Sequence, residues 1–187
     1  MRMVSELNDL DVRLTQKLHL QENEGSLKHL AAFVAHSGDS WFDLIALFLL
    51  WVFTSNPWHT LTALMAGAIV VLALLVFGVK YLIGRKRPEG EWGAVYRNTD
   101  PHSFPSGHAA RTAMLATISF ALGPAWLGFA LAAWCLMVSI ARVSLRVHYL
   151  SDVLAGMVLG ILAGMLVKAL SPLVVTSLPW GFTPVFQ

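Results

Sequence analysis

Charged residues are spread so unevenly along this chain that the gaps between them outline its elements. Residues 60–79 carry no charge at all, and a run of that length is what a helix needs to cross about 30 Å of hydrocarbon. Residues 112–141 are also uncharged, and Gly123-Pro124 divides them into a hairpin of two spans, because proline removes a backbone donor and clashes with the preceding turn. Another span is expected over 41–54, after the polar His36-Ser37-Gly38-Asp39 interrupts the chain. A last one runs over 152–170 and ends before Pro172.

The pattern predicts an all-α fold, a multi-spanning transmembrane helix bundle of about five spans, with six as the alternative. Before it, Leu10, Val12, Leu14 and Leu18 recur among charges at helical spacing, as in an amphipathic helix lying on a membrane. Three parts follow: an interfacial segment over 1–40, a membrane domain over 41–170 and an uncharged tail over 171–187.

Composition supports this reading. Of 187 residues, 56% are hydrophobic and 13% charged, with mean hydropathy +0.63, too apolar for a soluble core. A net charge of +2 without a separate basic arm excludes nucleic acid as an expected partner. The single cysteine, Cys135, excludes an internal disulfide. The first thirty residues lack the features of a cleaved signal and are expected to remain on the mature protein. Trp41, Trp58, Trp92 and Trp180 stand near predicted span ends, as interfacial anchors do.

Five crossings place the amino terminus and the polar loops 81–106 and 142–151 on one face. Three clusters meet there: Lys80 with Arg87-Pro88, then Pro105-Ser106-Gly107-His108, then Arg142 with His148 and Asp152. A phosphate undergoing transfer requires fixed cations and N–H donors around its equatorial oxygens. Lys80, Arg87 and Arg142 supply charge, and Ser106 and Gly107 open a helix whose first N–H groups can face an anion. His148 and Asp152 are four apart, so on a helix they share a face, and a carboxylate on one imidazole nitrogen leaves the other free to attack phosphorus. His108 can then protonate the leaving oxygen. Each cluster alone has an ordinary explanation as a lipid-facing basic patch, a helix cap or snorkelling side chains. Their convergence does not.

These three spaced motifs resemble those of the type-2 phosphatidic acid phosphatase superfamily, over about residues 40–170. The resemblance implies a membrane lipid phosphatase in which His148 forms a phosphohistidine, Asp152 orients it, and His108 serves as acid and then base. It makes Lys80, Arg87, Ser106, Gly107 and Arg142 the phosphate-binding residues. Where the family often has serine before the third-motif arginine, this chain has Ala141, so any hydrogen bond that serine makes is absent here, and no catalytic role is touched.

No cofactor is expected, and a metal site is disfavoured because the lysine and arginines would repel a cation. The expected partners are the bilayer and a phosphorylated membrane lipid, either an isoprenoid pyrophosphate such as undecaprenyl pyrophosphate or a glycerolipid phosphate. The expected location is the bacterial cytoplasmic membrane. Two other readings stay open: a non-hydrolytic binder or transporter of phosphorylated lipids, and vanadate-dependent haloperoxidase chemistry. Arg85, Lys86, Arg97 and Arg146 on the polar face point to a cytoplasmic site by the positive-inside rule, although many members of the resembled family work on the opposite side. His19, His29, His36 and His59 are expected at the surface or interface, and His102 in a loop.

Overall fold

A computed structural model describes residues 2–19, 25–89 and 100–183; Trp92 and Arg97 lie outside the described residues. Among the described residues seven helices follow one another: α1 (Arg2–Lys17), α2 (Gly25–Ser37), α3 (Ser40–Phe53), α4 (Trp58–Ile83), α5 (Gly107–Leu122), α6 (Ala125–Ser144) and α7 (Leu150–Ser177), then a short 3-10 turn (Pro179–Gly181). Among the described residues the only extended pairing is one antiparallel bridge, Lys86 with His102.

The ends of the helices follow from local chemistry. Pro57 precedes α4, and Gly84 closes it in the left-handed conformation (φ 65°), its N–H bonding the Lys80 carbonyl at 2.8 Å. Ser106 caps α5 through its side chain. Pro124 precedes α6, and Asp152 turns back onto the Tyr149 N–H at 2.9 Å to start α7.

Three helices, α4, α6 and α7, are each long and apolar enough to cross a membrane. A fourth span is available if α2 and α3 are one helix bent by 54° at Gly38-Asp39. The first crossing, expected over 41–54, thereby reaches back into the segment assigned to the interface. Ala32 and Ala35 of α2 are buried against Ala141, Leu145 and Val147. The remaining expected crossing is α5, whose 16 residues extend about 24 Å, less than the hydrocarbon thickness. It is the central helix, with Ala109 through Ala116 all buried, and it packs on α4, α6 and α7.

Apolar side chains on the outside of the bundle are exposed rather than covered. Phe48, Leu74, Leu82, Phe129, Leu162 and Leu173 are examples, and a bilayer is the solvent that accepts them. In α1 the polar edge faces the protein: Thr15 is buried, while Leu10, Leu14 and Leu18 are exposed. That is the orientation of a helix lying in the membrane interface.

Inside, Leu61, Met65, Ile69, Leu72 and Val76 of α4 pack against Ala110, Met114 and Ile118 of α5. On the other side of α5, Gly156, Gly160 and Gly164 of α7 let the two backbones touch. A methyl on Gly160 would stand 2.0 Å from the Ala110 carbonyl oxygen, and one on Gly156 2.4 Å from that of Ser106. Small residues at four-residue spacing allow such approach between membrane helices.

Candidate active site

The last turn of α4, the first turn of α5, the end of α6 and the loop that leads from α6 to α7 converge around a cavity of about 220 Å³. Lys80, Gly107, His108, Arg142 and His148 line it, with Asp100 and Arg111. Its far wall is apolar, formed by Ile69, Leu72, Ala73, Val76 and Phe77 along α4. One compartment therefore holds a cationic end and a hydrocarbon-like end.

His148 is held by its backbone and by both ring nitrogens. The Arg142 carbonyl accepts the N–H groups of Val147 and His148 at 3.1 and 3.3 Å, and Arg146 turns the chain in a left-handed conformation (φ 53°). These contacts close the short loop between Arg142 and His148. Nδ1 lies 2.8 Å from the Ser103 carbonyl, and Nε2 lies 3.3 Å from Nη1 of Arg87. A carbonyl can only accept, so Nδ1 carries the proton and Nε2 the lone pair. Burial first, then the charges of Arg142, Arg87 and Lys80, holds the imidazole well below its ordinary pKa, which keeps Nε2 unprotonated.

Asp152 is placed differently from the expectation. Its Oδ2 stands 3.7 Å from His148 Nδ1, beyond hydrogen-bond range. The carboxylate instead accepts from Tyr149 N–H at 2.9 Å and Arg85 Nη1 at 2.6 Å. Arg85 continues to Asp11 of α1 at 2.7 Å and to the Ser151 hydroxyl at 2.7 Å, and stacks over the Tyr149 ring at 4.1 Å. Asp11 and Thr15 in turn accept the N–H groups of Ser151 and Leu150 at 3.0 and 3.1 Å. The amphipathic helix thus caps α7.

Of the other expected residues, Ser106 is fully buried and its N–H bonds the Asp152 carbonyl at 2.9 Å, joining the second motif to the third. Arg87 donates to the Val147 carbonyl at 2.9 Å and, through Nε and Nη2, to the carbonyl and carboxylate of Asp100 at 2.7 and 2.8 Å. Lys80 also bonds Asp100. That carboxylate lies between two cations.

Four contributors escaped the sequence reading. The Ser103 carbonyl is main chain and leaves no trace in residue type. Asp100 and Arg85 sit in a polar loop where any charge passes as solvated. Asp39, in the break between α2 and α3, places Oδ1 2.7 Å from His108 Nε2 across 69 positions of sequence. His59 departs from its expected interfacial place: it is fully buried between α3 and α4, with Nδ1 2.6 Å from the Trp51 carbonyl. Among the described residues, no three His, Cys, Asp or Glu side chains are grouped to hold a metal ion.

Fold and site together define an integral-membrane helical protein with a buried, cationic pocket that two histidines line. Residues 57–174 match the model of the PAP2 superfamily, and the chain belongs to that family. In fold it is similar to the transmembrane PAP2-type phosphatidylglycerolphosphate phosphatase from Bacillus subtilis, at 24% identity and TM-score 0.72, over 90% of this chain and 88% of that one. It is also similar to LpxE of Aquifex aeolicus, at 20% identity and TM-score 0.68, over 86% and 95% of the two chains.

Proposed function

We propose that this PAP2 member is a metal-independent hydrolase of a lipid-borne phosphate or pyrophosphate, with His148 as nucleophile and His108 as acid and base. The observation that carries the reading is the state of His148: Nδ1 is on the Ser103 carbonyl, and Nε2 is unprotonated beside Arg87 in a cavity that Lys80 and Arg142 also line. A pocket that only binds anions has no need of a neutral imidazole among its cations. Family membership and the resemblance of the three motifs support the same chemistry.

In the first step Nε2 attacks phosphorus, and the bond from phosphorus to the leaving oxygen breaks. The electron pair goes to that oxygen, which takes a proton from His108 when it is an alkoxide. Water, deprotonated by His108, then attacks the phosphohistidine, returning Nε2 and releasing phosphate. Lys80, Arg87, Arg142 and the N–H groups at the start of α5 stabilise the equatorial oxygens throughout. Asp152 acts on His148 at longer range, through charge and through its hold on the start of α7. The apolar wall of α4 suits the first methylenes of a lipid chain, and both glycerolipid phosphates and isoprenoid pyrophosphates such as undecaprenyl pyrophosphate meet that description.

Phosphate release by the purified protein, across a panel of lipid phosphates and pyrophosphates, tests this directly. Hydrolysis should persist in excess chelator and be blocked by vanadate, a trigonal-bipyramidal phosphate mimic. Activity lost on chelation and restored by a divalent cation would overturn the metal-free mechanism.

A further inference from the structure

Asp39 lies outside the three motifs and outside residues 57–174, at the break where the chain passes from α2 to α3. An aspartate at a helix N-cap ordinarily turns its side chain onto the N–H groups of its own helix. Asp39 occupies that position for α3 but makes no such bond. Its Oδ1 is 2.7 Å from His108 Nε2, and its Oδ2 is 3.3 Å from Nδ1 of His36. Gly38 makes this approach possible: a methyl there would already stand 3.3 Å from His108 Cδ2 and from Val138 Cγ1. The span breaks beside the imidazole and gives up a local cap in favour of it.

We propose that Asp39 is the positioning residue of His108, holding Nε2 as an N–H so that Nδ1 is the nitrogen that exchanges the proton with substrate. The proposal rests on the reading of His108 as acid and base. When the bond from phosphorus to the leaving oxygen breaks, that oxygen takes the Nδ1 proton, while Nε2–H remains on Asp39. Water's proton returns to Nδ1 in the second step. Between these events the ring is neutral; before the first and after the second both nitrogens are protonated, and the ring is a cation facing Arg142 from α6 and Arg111 one turn further along α5. Arg111 is itself paired with Asp43 at 2.8 Å. Lys80 and His148 share the cavity, and His36 stands behind Asp39, which leaves Asp39 as the one carboxylate bonded to His108 among the described residues.

The test compares the full-length wild type with Asp39→Asn, His108→Ala and the double variant in nanodiscs, on two substrates across pH. A long-chain alkyl phosphate needs a proton on its leaving oxygen, and 4-nitrophenyl phosphate does not. Asp39→Asn should lower kcat on the alkyl phosphate about 10- to 100-fold, as loss of a supporting partner commonly does, with KM unchanged. The burst rate on 4-nitrophenyl phosphate, which reads the first step alone, should stay within about 3-fold, the residue lying outside that step's proton demand. The rate on the alkyl phosphate, which falls as pH rises and His108 loses its proton, should fall at lower pH once the carboxylate is gone. The double variant should be no slower than His108→Ala alone.

Equal losses in the alkyl phosphate kcat and the nitrophenyl burst rate, or additive losses in the double variant, would overturn the role of Asp39. If His108→Ala itself keeps the full alkyl phosphate rate, the underlying acid/base reading fails instead. Asp39→Ser provides the same comparison should the asparagine variant not fold, and the burst amplitude on 4-nitrophenyl phosphate reports folding in every case.

Discussion

His148 belongs to a loop held from several sides, whereas His108 stands on a helix whose partner is a break in a membrane span. The first histidine stands just before the helix that carries Asp152, four residues on, and the two side chains are fully buried; yet they are 3.7 Å apart and Nδ1 donates instead to a main-chain carbonyl. The second is bonded at 2.7 Å to an aspartate 69 residues away, and both side chains keep some exposure, 16% for His108 and 26% for Asp39. A nucleophile has to keep one tautomer and one direction through the cycle. An acid that becomes a base has to change its proton count, and a partly open carboxylate can stabilise the charged form without trapping it.

This contrast can be broken in order of expected effect. His148→Ala should lower turnover by roughly 10⁴-fold or more, as removal of a nucleophile does, with the protein still extracted as a folded species; full activity would remove the assignment. His108→Ala should cost roughly 10²–10⁴-fold on alkyl phosphates and much less in the first step on aryl phosphates or pyrophosphates. Those better leaving groups should give a burst of about one product per enzyme and then a slow phase. Rapid-quench kinetics with intact-mass detection of acid-labile phosphate at His148 would reveal it. Asp152→Asn should cost only about 10-fold, because the Ser103 carbonyl still fixes the tautomer. A loss as deep as that of His148→Ala would mean that the carboxylate closes onto Nδ1 when substrate binds. The smallest effect belongs to Asp100→Asn. Removing the carboxylate between Lys80 and Arg87 should tighten vanadate binding about 3-fold, measurable as a lower inhibition constant.

The difference between the histidines also marks how far the amino-acid pattern could be read. Uncharged runs located α4 and the hairpin of α5 and α6, and the largely apolar stretches 41–54 and 152–170 located α3 and α7, because hydrocarbon length and helix rise are fixed quantities. The motifs located Lys80, Arg87, Ser106, Gly107, His108, Arg142, His148 and Asp152 because each type has a distinct task around phosphate, and the structure brings them to one end of the bundle. Spacing then suggested that Asp152 orients His148, since four residues along a helix is a contact distance. It had no means of showing that the tight bond comes from Ser103, or that Asp39 reaches His108 through tertiary packing. Nor does the polar interruption at 36–39 look different from a loop until α2 is seen buried against α6. The shortness of α5 follows from its surroundings: a helix enclosed by others satisfies its apolar surface without spanning the hydrocarbon.

The glycine line of α7 has a mechanical consequence. Because a single methyl at Gly156 would collide with the Ser106 carbonyl and one at Gly160 with that of Ala110, α5 and α7 are in axial register like two rules with matched notches. Membranes differ in thickness by a few Å, and spans answer by tilting. A notched pair tilts as one body and cannot shear, so the distance from the second motif to the third should not change with the thickness of the host membrane. The compliance falls instead on the bent α2–α3 segment that carries Asp39, and a change of lipid chain length should therefore be felt at His108 before it is felt at His148.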